Sequence, residues 1–183
     1  MRARFVKWDW LGEHPAIDFA NTVRRDGAEY VELLGTGADL AEWSERALGD
    51  RVDAAAAEER LGGIRSLRDA VFAVLRAAAE GRPAPADAAA RVDAQARSVP
   101  VVPQLAGPPH VPEGSDPLGA LLARLAYATI ELVRGGADVG FCDAPSCGQL
   151  FLRGRSNQRW CGPGCGTRAR VARHAARRGL MRS

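Results

Sequence analysis

The stretch FCDAPSCGQLFLRGRSNQRWCGPGCGTRARVARHAARR, residues 141–178, holds every cysteine of the chain. Cys142 and Cys147 are separated by four residues, Cys161 and Cys165 by three, and thirteen lie between the two pairs. This is the spacing of a tetrahedral zinc site: each pair bites the metal from one tight turn, and the loop lets the turns face each other. Pro145 and Gly148 flank the first pair, and Gly162, Pro163, Gly164 and Gly166 surround the second. Backbone N–H groups in such turns can donate to sulfur and damp its charge. Disulfides, a redox pair and an iron–sulfur cluster are the competing chemistries. A reducing cytoplasm opposes the first, and nothing else in the chain speaks for electron transfer. Four thiolates fill all four positions, so one structural zinc ion is expected, with no place for a catalytic water. Phe141, Leu150, Phe151, Leu152 and Trp160 make only a thin local core, so the metal is expected to hold this segment together.

Charge divides the chain at the same place. Gly148 to Ser183 contain nine Arg and no Asp or Glu. Subtracting these nine from the 25 basic residues leaves 16 against 22 acidic residues before Gly148, a net of −6 in a chain of +3 overall. Arg abundance partly reflects usage, since Lys7 is the single lysine, but usage does not explain the missing acids. A tail this basic needs a polyanionic partner or a solvent-exposed position. From Thr167 to Arg178 the pattern is helical. Arg170, Arg173 and Arg177 share one face, while Val171, Ala172, Ala175 and Ala176 are expected to pack on the zinc turns. Arg168 falls on that apolar side and is expected to donate to turn carbonyls. Arg153, Arg155 and Arg159, between the cysteine pairs, are candidates for further phosphate contacts, and Trp160 is assigned to the core.

The preceding residues predict an α+β body, mainly helical, with one or two short strand pairs. Met1 to Gly12, with Phe5, Val6, Trp8 and Trp10, reads as a strand or hairpin arm. Pro15 to Arg25 predicts a short helix with Pro15 in its first turn. Thr36 and Asp39 form a capping pair before a helix carrying Leu40, Trp43 and Leu48, which Gly49 ends. Ala54 to Glu80 predicts the longest helix, and Pro85 to Arg97 another. Val99, Val101 and Val102 suggest an edge strand or hairpin within the proline-rich stretch from Ser98 to Pro117. Ser115 or Asp116 then caps a leucine-rich helix that Gly135-Gly136 stops. The module boundary is expected near Gly135 to Gly140. The chain lacks a signal peptide's apolar core and a membrane-spanning apolar run, so a cytoplasmic protein without a membrane partner is expected.

With the four cysteines, Phe151, the Arg159-Trp160-Cys161 run and the basic helix from Arg168, the tail resembles the CGNR zinc finger. The four residues that give the module its name read Cys165, Gly166, Thr167, Arg168 here. Thr167 stands in place of Asn, and Arg153 in place of a usual Asp. The run AIDFANT, Ala16 to Thr22, resembles the opening of the ABATE domain, which commonly precedes this finger. The resemblance implies a body over residues 1–136, a zinc module over 137–183, and a role in stress-induced transcription regulation in bacteria.

Asp18, Asn21 and Thr22 share a helix face. They form either a ligand pocket or a buried polar network that fixes the N-terminal arm. The functional expectation is a zinc-dependent regulator that contacts duplex DNA through Arg153, Arg155, Arg159, Arg170, Arg173 and Arg177. Its body is expected to sense a small-molecule effector or to assemble a homodimer. Two readings compete: an adaptor docking its zinc module on an acidic protein, and an enzyme with a pocket in the body. No nucleophile–base set, phosphate loop or paired acid and base supports the enzyme.

Overall fold

The computed structural model describes residues 7–8, 12–26, 29–107 and 109–180. Most of the expected arm at Met1 to Gly12, including Trp10, lies outside them. Trp8 is buried in the core, and Lys7 beside it pairs with Asp39. Seven helices and four strands follow among the described residues: α1 (Pro15–Ala20), β1 (Val23–Asp26), β2 (Glu29–Glu32), α2 (Gly37–Leu48), α3 (Ala54–Glu59), α4 (Leu61–Ala79), α5 (Ala86–Ala96), α6 (Pro117–Arg134), β3 (Val139–Phe141), β4 (Leu150–Leu152) and α7 (Pro163–Leu180). The body is mainly helical with two antiparallel strand pairs, β1–β2 and β3–β4, and the four-cysteine module runs into α7. No helix among the described residues is long and apolar enough to cross a membrane.

Local chemistry sets the helix ends. Thr36 and Asp39 form the reciprocal capping box of α2: the Asp39 N–H donates to Thr36 Oγ1 at 3.2 Å and the Thr36 N–H to Asp39 Oδ2 at 2.7 Å. Gly49 closes α2 in the left-handed region at φ 73°. Asp116 caps α6, accepting from the Gly119 N–H at 3.0 Å. The inward stripes meet in one core containing Ile17, Phe19, Trp43, Ile64, Leu75, Leu121 and Leu125. Phe19 and Trp43 pack with ring centroids 5.5 Å apart.

Three expected elements differ. The helix predicted over Pro15 to Arg25 stops at Ala20, and Val23 begins a strand. The Asn21 side chain leaves the helix for a partner 129 residues away, and Thr22 Oγ1 donates to the Phe19 carbonyl at 2.7 Å. The single helix predicted over Ala54 to Glu80 breaks at Arg60 (φ −106°, ψ 7°). α3 leans on α2, where the Gly37 N–H donates to Glu58 and a Cβ on Gly37 would strike the Ala54 carbonyl oxygen. Arg60 pairs with Asp116, and Gly62-Gly63, poor helix formers, follow the break. The valine hairpin shrinks to one antiparallel bridge, Val102 to His110.

The β3–β4 hairpin departs furthest from the expectation of a thin, self-contained tail core. Its register pairs Val139 with Leu152, Gly140 with Phe151 and Phe141 with Leu150. Successive residues face opposite ways. Val139 and Leu150 belong to the body core, and Phe141 and Leu152 pack against it. Phe141 lies under the Arg76 guanidinium, 3.3 Å from its ring centroid, and edge-on to Phe72. Phe151 turns the other way, into the cysteine cluster. A Cβ on Gly140 would sit 2.5 Å from the Phe151 ring, so glycine is required there. Gly140→Val is expected to cost about 1–3 kcal/mol, by the overpacking it forces and the Phe151 displacement that follows, measured by urea unfolding of the zinc-loaded protein.

Candidate metal centre and basic helix

The first cysteine pair sits in a turn that starts at the end of β3. The Cys147 N–H donates to the Ala144 carbonyl at 3.1 Å and the Gly148 N–H to the Cys142 carbonyl at 3.2 Å. Ser146 (φ 60°) and Gly148 (φ 72°) both take the left-handed conformation that curls the chain around the sulfurs. The second pair straddles the start of α7, with Cys165 in its first turn.

The four Sγ atoms lie within 4.8 Å of one another. Cys147 to Cys161 is 3.6 Å and Cys161 to Cys165 is 3.5 Å. A tetrahedron with metal–sulfur bonds of about 2.3 Å has edges of about 3.8 Å, so the cluster fits one zinc ion. Cys142, Cys147 and Cys165 are buried. The Ala144 and Cys161 N–H groups serve Cys142 sulfur, and the Gln149 N–H serves Cys147 sulfur. Hydrogen bonds from Cys147 and Cys161 push the Cys142 thiol down to about 2, while donating to Cys142 pushes Cys147 up to about 12 and raises Cys161 also. Thiols this close do not all ionise unless a cation joins them. Arg168 does not reach turn carbonyls, as the sequence suggested. Its Nη2 donates to Cys165 Sγ at 2.8 Å and sets a positive charge against the thiolates.

Beyond Ala169, α7 leaves the molecule. Residues 170–178 are all exposed, so Val171, Ala172, Ala175 and Ala176 do not pack on the zinc turns; Val171 is 64% exposed. The first two helical turns are already spent on Cys165 and Ala169, and the small side chains further along are exposed. Arg170 donates to Thr167 Oγ1 at 3.3 Å, and Arg173 and Arg159 approach the Trp160 ring at 5.9 and 5.1 Å from its centroid. Arg155, Arg159 and Arg177 are exposed. Arg153 is occupied otherwise. It donates to Asp138 Oδ1 at 2.7 Å and to the carbonyls of Val139 and Gln158, tying the loop to β3.

The Asp18, Asn21 and Thr22 set divides. Asn21 and Thr22 are buried and Asp18 is half-buried. Thr22 accepts from Arg68 at 3.3 Å, and Arg68, 2% exposed, holds Glu32 through bonds of 2.9 and 2.6 Å. Asn21 Nδ2 donates to the Leu150 carbonyl at 2.9 Å, and Asn21 Oδ1 accepts from the Leu150 N–H at 2.9 Å. None of the three lines the cavity of about 1310 Å³ between α4, α5 and α6, bordered by Ile64, Leu67, Ala88, Arg91 and Gln95. Glu13, which accepts from the Leu152 N–H at 2.8 Å, was missed from sequence.

Burial raises the Asp18 carboxyl from 3.8 to about 6, against the Glu13 N–H it accepts and helped by the Glu13 charge. The folded chain therefore holds this proton more tightly than the unfolded chain. The contribution to stability is complete below about pH 4 and lost as pH rises through 6. Asp18→Asn is expected to stabilise the protein at pH 7 by about 1–2 kcal/mol, discounted for partial exposure. It should also flatten stability between pH 4 and 6, as urea unfolding across that range would show.

Together these features define a zinc-finger protein whose four-cysteine centre is built onto a helical body and continues into a basic helix. Residues 13–136 match the ABATE family, described as "Putative stress-induced transcription regulator", and residues 139–178 match the CGNR zinc finger. The first match covers more than half of the chain, which belongs to the ABATE family. No curated protein matches the chain.

Proposed function

We propose that this protein is a cytoplasmic, non-enzymatic transcription regulator that binds duplex DNA through α7. Residues 1–136 serve as a sensing or dimerising body and 137–183 as the reader. One observation carries the reading: an acid-free helix, anchored at its first turn to a four-cysteine centre, projects Arg170, Arg173 and Arg177 into solvent along one face. Zinc is held by Cys142, Cys147, Cys161 and Cys165 and supplies rigidity; the arginines supply phosphate and base-edge contacts. Arg155 and Arg159 extend the positive surface. Arg153, bound to Asp138, contributes by fixing the loop that carries them.

The test is titration of the zinc-loaded protein with random-sequence duplex DNA at several salt concentrations. Neutralising three to five phosphates gives a slope of log K against log salt of roughly −3 to −5. Arg177→Ala is expected to reduce that slope by about one if the side chain meets phosphate, or to relax preference at one base position if it reads a base. A flat salt response, with capture of an acidic protein through the same arginines, would favour the adaptor instead.

A further inference from the structure

We infer that α1 is a positioning element of the zinc centre: through Asn21 and Glu13, the body sets how tightly the finger holds its metal. β4 is bonded to β3 along one edge, and its other edge faces α1. That second edge exposes the Leu150 N–H and carbonyl and the Leu152 N–H. Asn21 satisfies both Leu150 groups, each at 2.9 Å, and Glu13 Oε2 takes the Leu152 N–H at 2.8 Å. Two side chains that flank α1, Glu13 before its N-cap and Asn21 at its C-cap, thus do the work of a third strand.

The route to the metal is short. Leu150 adjoins Gln149, whose N–H serves Cys147 sulfur, and Phe151, whose ring packs with Cys142, Cys147 and Cys165. A second tether comes from β1, where the Arg25 N–H donates to the Cys147 carbonyl at 3.4 Å. Leu150 is fully buried, so losing Asn21 strands a backbone donor and acceptor without water to replace it. The strand must then shift, and Gln149 and Phe151 shift with it. Linkage makes the effect reciprocal: whatever α1 contributes to metal affinity, the metal returns to the stability of the body. This inference concerns metal retention and stands apart from what α7 binds.

The test is zinc affinity of the full-length protein, by competition with a chromophoric chelator, alongside the thiolate–metal absorption of the cobalt form. Asn21→Ala is expected to lower zinc affinity about ten- to hundredfold and to alter the cobalt spectrum. Glu13→Ala, which removes one bond and keeps the fold, should lower affinity about threefold. Val92→Ala, a buried α5 change away from β4, should lower thermal stability and leave zinc affinity and the cobalt spectrum unchanged. Wild-type zinc affinity in both α1 variants would overturn the inference. So would an equal loss of affinity in Val92→Ala, which would place the effect in global stability.

Discussion

Replacing Cys142 by Ser is expected to release the metal, melt α7 and destabilise the helical body together. The first two effects follow from the donor set. Cys142 is the most buried of the four cysteines, at 1% exposed, and backbone N–H groups of Ala144 and Cys161 converge on its sulfur. Structural zinc in small fingers binds with an apparent energy of about 10–16 kcal/mol, far beyond what Ala144, Phe151 and Trp160 could replace by packing. α7 has 18 residues, of which Cys165 and Ala169 alone are buried among those with described side chains. A helix of that length without tertiary support is marginal in water. The effect on the body follows from β3–β4. Val139 and Leu150 are 3% and 0% exposed and belong to the body core, so a loosened hairpin opens that core. A loss of about 2–4 kcal/mol in the body is expected, the range of a large-to-small core substitution. Metal analysis, circular dichroism and urea unfolding read the three effects separately. Retained zinc, or a body as stable as the wild type's, would contradict the shared hairpin.

Replacing Arg170, Arg173 and Arg177 together by Ala is expected to lower duplex DNA affinity by about 10²–10³-fold near physiological salt, at roughly 1–1.5 kcal/mol for each charge-assisted contact. Alanine is the best helix former, so α7 should keep its helicity and the zinc site its metal. The salt slope should shrink by about three. Unchanged affinity and slope would remove this face from the DNA-contacting surface.

The metal site was legible because its determinants are local. Paired cysteines at short spacing, with Pro and Gly around them, need only a turn each. The caps at Thr36 and Asp116 and the stripe of α6 were legible for the same reason. What escaped depends on partners distant in sequence. Nothing near Asn21 says that its amide pairs with Leu150, or that this pairing replaces the next turns of a helix. Arg60, at the break between α3 and α4, pairs with Asp116, 56 residues on. Two local signals do point to the strand pairs. The sequence Asp26-Gly27 is a hairpin dipeptide, and β1, which ends at Asp26, pairs antiparallel with β2 from Glu29. Alternation of Leu150, Phe151 and Leu152 opposite Val139, Gly140 and Phe141 is a two-faced strand pair, which accounts for apolar residues that a lone zinc module has no use for. The apolar side of the basic helix misled in the other direction: small residues at helical spacing suggested packing, but residues 170–178 are all exposed.

The most direct test of a zinc-ordered DNA reader compares one protein with itself. Duplex DNA affinity is measured at a fixed salt concentration for the full-length zinc-loaded chain, after removal of zinc by chelation, and after zinc is restored, with helicity followed in each state. Every arginine is present throughout. Binding is expected to fall at least as far as in the triple arginine variant when zinc is removed, and to return with the metal as α7 refolds. Equal affinity with and without zinc would mean that the basic tail binds by charge alone, and would contradict a reader ordered by the metal.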